Sequence, residues 1–400
     1  HLSLRLIRRD VRSHGAPALA KTEGLLSDFL GDLPFSLTGA QQRVLREILD
    51  DLADERPMLR LVQGDVGSGK TVVAAAAAVV AAASGFQAVI MAPTELLAEQ
   101  HFRNFDLWLS PLGLRVAWLT GRLSAANRRQ ALAEIGSGDA AVVVGTHALF
   151  QAGVEFARLG LAVIDEQHRF GVHQRLALTE KGEPGGLRPH QLIMTATPIP
   201  RTLAMASYAD LDTSTIDELP PGRGEVRTVV VPSSRRAEVV DRVRLACASG
   251  SQAYWVCPLI DESEQLQYQA AEETAVSLRD ALPELEIGLV HGRMKAAQKQ
   301  AAMERFKAGA MQLLVATTVI EVGVDVPNAS LMIIENSERM GLAQLHQLRG
   351  RVGRGSTDSS CVLMYQAPLG EIAERRLRIL RQTNDGFRIA EEDLRLRGPG

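Results

Sequence analysis

Short apolar runs recur along the chain, each bounded by turn residues and separated from the next by a stretch with helical spacing of its apolar positions. Runs this short match buried strands, and a helix between successive strands favours parallel pairing. The pattern therefore predicts parallel sheets with helices on both faces, which is the α/β class. The predicted strands of the first series are Met58–Gln63, Ala88–Ala92, Arg115–Leu119, Ala141–Val144, Leu161–Ile164 and Gln191–Met194.

A second series of the same kind comes after Pro220-Pro221-Gly222, a turn-forming tripeptide that is the best linker candidate in the chain. Two tandem α/β lobes of similar size are therefore predicted, residues 34–222 and residues 223–369. The predicted strands of the second lobe are Val226–Val231, Ala253–Cys257, Ile287–Val290, Gln312–Ala316, Leu331–Ile334 and Cys361–Tyr365.

The two ends of the chain are predicted to be helical. Residues 1–33 form an N-terminal helical linker, in which Ala18–Leu30 is the second helix. Residues 370–400 begin a helical hairpin, with one helix from Glu371 and another from Gly386.

Composition and charge exclude several classes of protein. Hydrophobic residues make up 46% and charged residues 23%, which is typical of a globular protein, and no apolar stretch reaches the roughly 18–20 residues of a membrane span. The net charge of −3 argues against a protein that coats DNA by bulk charge but allows a groove lined locally with Arg and Lys. The three cysteines lack C-x-x-C spacing and no signal peptide is evident, so we expect a cytoplasmic protein without zinc or disulfides.

Gly64–Thr71 (GDVGSGKT) matches the phosphate-loop pattern G-x-x-x-x-G-K-[ST] between a predicted strand and a predicted helix. Its glycines let backbone N–H groups curl around phosphates, and the helix N-terminus adds partial positive charge. Lys70 is expected to reach the β- and γ-phosphates, and Thr71 to place its hydroxyl on Mg²⁺. The predicted cofactors are therefore ATP and Mg²⁺, and the loop residues that bind them are Gly64, Gly67, Ser68, Gly69, Lys70 and Thr71.

Two acidic residues, Asp165 and Glu166, come directly after the apolar run Leu161–Ile164. A carboxylate at the carboxyl end of such a strand can hold Mg²⁺ beside a phosphate loop, which is the role predicted for Asp165. Glu166 is then placed to orient and deprotonate the attacking water. A solvated strand end is the alternative interpretation, and the spacing of about a hundred residues from the phosphate loop disfavours it.

The second predicted lobe contains a basic segment broken by glycines, Gln347–Arg354 (QLRGRVGR). Chemistry at the γ-phosphate needs positive charge against the transition state. An arginine on the second lobe can supply that charge only when the lobes close, which makes hydrolysis depend on conformation. By itself the segment could equally be a solvated helix start.

Together these segments resemble the motif set of the superfamily 2 DExH helicases, in the family's order. The resemblance implies a pair of RecA-like lobes with a helical hairpin after them. The matching segments are Leu37–Gln41, Gly64–Thr71, Ala92–Leu97, Thr120–Arg122, Gly145–His147, Asp165–His168, Thr195–Thr197, His291–Met294, Thr317–Asp325 and Gln347–Arg354.

The resemblance also implies roles for single residues. Gln41 contacts the adenine base, His168 and Gln347 sense the γ-phosphate, and Arg351 and Arg354 are the finger arginines. The nucleotide site is completed by Gly323 and Asp325, and hydrolysis is coupled to DNA contact by Thr195 and Thr197. The implied contacts to the DNA backbone are Pro93, Thr94, Arg122, Thr146, Arg293 and Thr318.

Within the superfamily, four longer stretches are similar to the RecG family of branched-DNA helicases. They are Asp165–Arg175, Met194–Leu203, Ile216–Arg223 and Asp385–Gly400, and the last resembles the start of that family's translocation hairpin. The family resemblance implies a monomeric bacterial motor at the nucleoid that reverses replication forks and migrates Holliday junctions. Its implied partners are forks, Holliday junctions and duplex arms, with a single-strand binding protein as a further candidate and no membrane.

Two other functions stay open from the sequence. The transcription-repair coupling factor shares the hairpin and most motifs, but it usually has a second Glu where this chain has Gln167. An ATP-binding scaffold without catalysis is disfavoured by the intact Lys70 and Glu166. No β-rich segment precedes Phe35 as the strand-splitting wedge of the RecG family would, and the chain ends inside the hairpin loop, so we expect a motor fragment.

Overall fold

The computed structural model describes residues 14–20, 24–151, 153–166, 187–197, 211–258, 264–317, 326–353, 355 and 358–397. They divide into two compact units, here called the first and second lobes. The first lobe contains the described residues of 1–64, 68–196 and 201–220, and the second contains those of 65–67, 197–200 and 221–400. The domain limits predicted from the sequence stay predictions.

The first lobe is a seven-stranded parallel sheet, in the order β3-β4-β2-β5-β6-β1-β7. Described helices connect β1 to β2, β2 to β3 and β3 to β4. Its strands are β1 (Leu59–Gly64), β2 (Gln87–Met91), β3 (Val116–Leu119), β4 (Val142–Gly145), β5 (Leu159–Asp165), β6 (His190–Thr195) and β7 (Asp212–Ile216). Its described helices are α1 (Leu25–Asp32), α2 (Gly39–Leu52), α3 (Lys70–Ala83), α4 (Glu95–Leu109) and α5 (Ala125–Ser137).

The second lobe repeats this arrangement with six parallel strands, in the order β10-β11-β9-β12-β13-β8. Its strands are β8 (Val226–Pro232), β9 (Gln252–Val256), β10 (Ile287–Val290), β11 (Leu313–Ala316), β12 (Ala329–Ile334) and β13 (Ser359–Tyr365). Its described helices are α6 (Arg236–Ala248), α7 (Glu264–Ala281), α8 (Ala296–Lys307), α9 (Leu342–Arg349), α10 (Glu371–Gln382) and α11 (Gly386–Arg397). The α/β class and the parallel sheets predicted from the apolar runs are confirmed.

The longest apolar run of the sequence is the core helix α3. Residues Val72–Ala81 are all buried, and small Ala side chains let the helix lie close to its neighbours at high packing density. The helix begins at Lys70, a few residues after β1 ends at Gly64, so the core places its N-terminus at the carboxyl edge of the sheet. Among the described residues, none of the helices is both long enough and apolar enough to span a membrane.

The predicted helix Ala18–Leu30 is wrong at its start, because residues 15–20 are not helical and α1 begins only at Leu25. Proline at position 17 lacks an N–H group and disfavours a helical conformation in the residue before it. The backbone of this segment instead forms hydrogen bonds at the C-terminus of α2. The N–H of Leu19 donates to the carbonyl of Leu52, the last residue of that helix, and the N–H of Ala16 donates to the carbonyl of Glu55, each at 2.7 Å. The helix predicted before Gly15 lies outside the described residues.

Strand β7 was not predicted from the sequence. Its residues, Asp-Thr-Ser-Thr-Ile, have little apolar character, and among the described strands it pairs with β1 alone. Only Ser214 and Ile216 are buried on it. Because Ile216 is the one apolar residue of this strand, it gives no continuous apolar run, and the pattern that found the other strands could not find this one.

Candidate functional site

The phosphate loop joins the end of β1 to the start of α3. Gly69 caps the helix in a left-handed conformation, φ 83°, which a residue with a side chain rarely adopts. A Cβ atom at Gly69 would lie 2.2 Å from Nε2 of Gln41, so the loop also needs glycine for the close approach. The arrangement places a helix N-terminus at the carboxyl edge of the sheet, where phosphate groups are bound in such folds.

Lys70 and Thr71 lie on the first turn of α3. The Lys70 ammonium donates to the Gly64 carbonyl at 2.6 Å and lies 3.4 Å from Oγ of Ser68, so it rests against the loop that it is predicted to serve. Thr71 is half-buried on the same turn. Both side chains therefore begin where the sequence predicts the phosphates and the cation.

Gln41 is buried in the first turn of α2 and contacts the phosphate loop directly. Its Oε1 accepts the Thr38 N–H at 2.9 Å and completes a capping box with that residue. Its Nε2 donates to the Ser68 carbonyl at 2.8 Å. The predicted contact to adenine stays a prediction, while the structure adds a mechanical link from this glutamine to the loop.

Asp165 ends β5 and is buried, with 8% of its surface exposed. The strand order places β5 beside β6, and β6 beside β1, so the carboxyl ends of these parallel strands share one edge with the phosphate loop. Oδ2 of Asp165 is 2.8 Å from Nε2 of His101, a buried residue of α4 that the predictions from sequence missed. The only sequence signal for His101 is a polar residue on the apolar stripe of a predicted helix.

Glu166, the predicted base, has a left-handed backbone with φ 53°, which is rare for a residue other than glycine and is found at functional sites. Its N–H donates to the Met194 carbonyl at 3.0 Å. Its Oε1 accepts the Ala196 N–H at 3.1 Å. The carboxylate is therefore held by the backbone of Thr195–Thr197, the segment predicted to couple hydrolysis to DNA contact.

These donors fit ATP and Mg²⁺. Carboxylate and hydroxyl oxygens are the ligands that Mg²⁺ prefers, and Asp165 and Thr71 supply one of each. The ammonium of Lys70 and the N-terminus of α3 supply the positive charge that phosphates need. His168, Gly323, Asp325, Arg354 and Thr318 lie outside the described residues, so their predicted roles stay predictions.

Residues predicted to touch DNA lie just after neighbouring strands of the first lobe. Thr94 caps α4 by accepting the Leu97 N–H at 3.4 Å, directly after β2 and Pro93. Arg122, exposed after β3, forms an ion pair with Glu95 on the first turn of the same helix, at 2.6 Å. The structure thus brings Thr94 and Arg122 together at the carboxyl edge of the sheet.

Thr146, the residue directly after β4, is only 1% exposed. Its hydroxyl has no hydrogen-bond partner among the described residues. Thr317 comes directly after β11 in the second lobe, is equally buried and has a hydroxyl in the same condition. The N–H groups of these two residues bond to the last carbonyls of β3 and β10, Leu119 and Val290, so the two threonines occupy equivalent positions. Thr317, which the predictions from sequence passed over for Thr318, is therefore an additional candidate.

On the second lobe, Arg293 is exposed and its guanidinium stacks over the Tyr268 ring at 4.8 Å from the ring centroid. Gln347 is half-buried near the end of α9. Arg351, two residues beyond that helix, is 9% exposed. Arg293 is therefore at the surface, as its predicted contact to a DNA phosphate requires. The contacts predicted for Arg293, Gln347 and Arg351 stay predictions.

Comparison with known proteins supplies the family. The family model described as DEAD/DEAH box helicase matches residues 38–206, and the helicase conserved C-terminal domain matches residues 236–356. The chain is 62% identical over 401 residues to ATP-dependent DNA helicase RecG of Escherichia coli O157:H7 and 61% identical to that of Haemophilus influenzae. Each match covers 100% of this chain and 58% of the relative.

A solved structure of RecG bound to a three-way DNA junction agrees with the fold. It has a TM-score of 0.86 and 44% identity, over 100% of this chain and 52% of that one. The predicted tandem RecA-like lobes are confirmed, and the chain spans somewhat more than half the length of the relatives that it matches. The chain belongs to the RecG family of superfamily 2 helicases and contains the family's two helicase lobes.

Proposed function

We propose that this chain is the ATP-driven motor of a double-stranded DNA translocase that acts on branched DNA, in fork reversal and Holliday-junction branch migration. The observation that carries the proposal is the edge of the first sheet. There Lys70 and Thr71 begin a helix after the phosphate loop, while Asp165 ends the strand two positions away in the sheet and Glu166 directly follows it. The junction-bound relative and the family's names support branched DNA as the substrate.

In the proposed mechanism each residue has a separate task. Lys70 neutralises the β- and γ-phosphates, and Thr71 and Asp165 hold Mg²⁺. Glu166, fixed by the Ala196 N–H, orients the attacking water and accepts its proton. Arg351 and Arg354 add positive charge when the lobes close, and His168 and Gln347 sense the γ-phosphate. Bound ATP supplies the phosphoanhydride bond whose hydrolysis drives the motion.

We propose that residues just after the carboxyl ends of the strands contact the DNA. Thr94, Arg122 and Arg293 are placed for contacts to the phosphate backbone, and backbone contacts suit a motor that must move along any sequence. Thr146 and Thr317 are equivalent candidates, because each buried hydroxyl has no partner among the described residues and could bond to a phosphate that approaches it. The segment Thr195–Thr197, whose backbone bonds to the Glu166 carboxylate, is proposed to couple ATP hydrolysis to DNA binding.

The proposed setting is the bacterial cytoplasm, at the nucleoid. Forks, Holliday junctions and duplex arms are the proposed DNA partners, a single-strand binding protein is a further candidate, and the motor acts as a monomer. The transcription-repair coupling factor is not favoured, because the relatives that match along the whole chain bear the RecG name.

The test is steady-state ATP hydrolysis without DNA, with linear duplex and with a model fork of the same length. We expect fork DNA to stimulate turnover more than linear duplex does. The matched blank is Glu166→Gln, which keeps the size of the side chain and its contact to Ala196 but cannot accept a proton. Turnover that ignores DNA, in this chain and in a version of the length of its relatives, would contradict the proposal.

A further inference from the structure

Helix α4 presents a stripe of buried residues to the core of the first lobe, and one member of the stripe is polar. The buried positions are Ala98, His101, Phe105 and Leu109, spaced by three or four residues as one face of a helix requires. The imidazole of His101 is 3% exposed and meets the edge of the Phe105 ring. A polar group in such a position costs free energy unless a partner satisfies it.

The partner of His101 is the carboxylate predicted to hold Mg²⁺. Nε2 of His101 lies 2.8 Å from Oδ2 of Asp165, and both side chains are almost fully buried. The two residues are 64 positions apart and are brought together by the neighbouring strands β2 and β5. A ring nitrogen that bonds to one carboxylate oxygen fixes the orientation of that carboxylate.

A second buried histidine of the first lobe, His190 on β6, has the contacts expected of a structural residue. His190 uses both ring nitrogens: Nδ1 accepts the Met58 N–H at 3.0 Å, and Nε2 donates to the Pro17 carbonyl at 2.8 Å. His101 differs, because its Nδ1 has no hydrogen-bond partner among the described residues. Within that part of the chain its ring bonds to Asp165 alone, so the contact to that carboxylate is what favours histidine at this position.

We propose that His101 is a positioning residue for the cation site: it holds Oδ2 of Asp165 and so fixes the orientation of the carboxylate that would bind Mg²⁺. The proposal rests on the proposed function, in which Asp165 is a Mg²⁺ ligand. Residues that orient a ligating carboxylate are part of the design of metal sites, and removal of such a residue lowers metal affinity by about 10- to 100-fold. Helix α4 thereby contributes to nucleotide binding without touching the nucleotide.

The test measures binding rather than turnover. The affinity of the whole chain for a fluorescent ATP analogue is measured over a Mg²⁺ series and again in EDTA. His101→Phe keeps a ring on the apolar stripe but removes the donor. We expect it to raise the Mg²⁺ concentration for half-maximal binding about tenfold, while affinity in EDTA stays that of the unchanged protein. Unchanged affinity in EDTA also shows that the variant is folded.

Three further variants make the result decisive. His101→Gln keeps an N–H donor near the position of Nε2 and should restore most of the Mg²⁺ dependence. His190→Phe replaces the buried histidine of β6 and should leave the Mg²⁺ midpoint unchanged, although it lowers thermal stability. Asp165→Asn should shift the midpoint at least as far as His101→Phe does.

The outcomes separate this inference from the proposed function. A normal midpoint for His101→Phe beside a shifted one for Asp165→Asn would overturn the role of His101 and leave the cation site in place. If His101→Gln behaved like His101→Phe, packing rather than the hydrogen bond would matter, and the inference would fail. An unshifted Asp165→Asn would remove the cation site itself, and the role of His101 with it.

Discussion

Each of the two lobes contains a parallel sheet of the same strand arrangement, and the lobes differ in the loops at the carboxyl edge of that sheet. In the first lobe, β2 begins with Gln87, whose Nε2 donates to the carbonyls of Ile135 and Ala140, at 3.0 and 2.9 Å. In the second, β9 begins with Gln252, whose Nε2 donates to the carbonyls of Phe306 and Met311, at 2.6 and 2.7 Å. In both lobes, the first residue of a central strand therefore donates hydrogen bonds to carbonyls at the end of a helix, α5 or α8. That helix leads into the strand beside the central one, β4 or β11.

The difference lies after the corresponding strands β1 and β8. The first leads into the glycine-rich phosphate loop and the buried helix α3. The second leads into Ser233–Arg235, a single turn of 3₁₀ helix, and then α6, which begins with the half-buried Arg236 followed by the exposed Ala237 and Glu238. A parallel sheet is therefore common to both lobes, and the loops at its carboxyl edge distinguish them, because the phosphate-loop pattern follows β1.

A lysine in each lobe makes the sharpest test of this difference. Lys70 donates to the Gly64 carbonyl at 2.6 Å, and Lys299 donates to the Gly292 carbonyl at 2.7 Å. Lys70→Ala should reduce ATP turnover by about 100-fold or more, because one positive charge facing the transition state is lost. Lys299→Ala should leave turnover without DNA unchanged. Hydrolysis retained by Lys70→Ala would remove that residue from the site.

The next largest effect is expected at Arg349, a buried guanidinium of the second lobe. It donates to the carbonyls of Leu380 and Thr383, each at 2.8 Å, and so ties α9 to the end of α10. Burial lowers the pKa of this group, yet its bonds keep it in place. Arg349→Ala should lower the free energy of unfolding by about 3 kcal/mol, because buried carbonyls lose a charged hydrogen-bond donor.

Hydrogen exchange provides the measurement for Arg349→Ala. Protection should fall in residues 371–397 and stay normal throughout the first lobe. The matched control is Arg378→Ala on the exposed face of α10, where an ion pair with Glu374 contributes little. Equal loss of protection in both variants would mean that Arg349 does not hold the hairpin.

The shared glutamines test the similarity of the lobes. Gln87→Ala and Gln252→Ala should each lower the free energy of unfolding by about 1–3 kcal/mol, because each change removes the side-chain donor to two buried carbonyls. The loss of hydrogen-exchange protection should stay within the lobe that carries the change. If one variant were silent and the other severe, the two glutamines would not be equivalent.

The smallest expected effect depends on pH and belongs to the first lobe alone. Burial lowers the pKa of His190, so the folded protein resists a proton that the unfolded chain takes up. Stability is therefore intact above the ordinary histidine pKa and falls as the pH drops below it. His190→Phe should remove this part of the pH dependence of the melting temperature. A slope identical in both proteins would show that His190 does not titrate on unfolding.

The sequence by itself determined the features that depend on neighbouring residues. Apolar runs predicted all the described strands except β7, and glycine spacing predicted the phosphate loop, because these signals act within a few residues of one another. The same patterns failed at Ala18–Leu30, where bonds to Glu55 and Leu52 override helical propensity. They also failed at β7, whose five residues include only one apolar residue, Ile216.

Only the tertiary structure decided which distant groups meet. The order of strands brings His101 to Asp165, gives Gln87 its two carbonyls and sets Thr146 and Thr317 at equivalent positions. None of these pairings has a local pattern, because strand order is set by the burial of whole elements rather than by the residues beside each group. The sequence thus determined that a phosphate loop and its acidic partner exist, and the fold decided which buried side chain holds that partner in place.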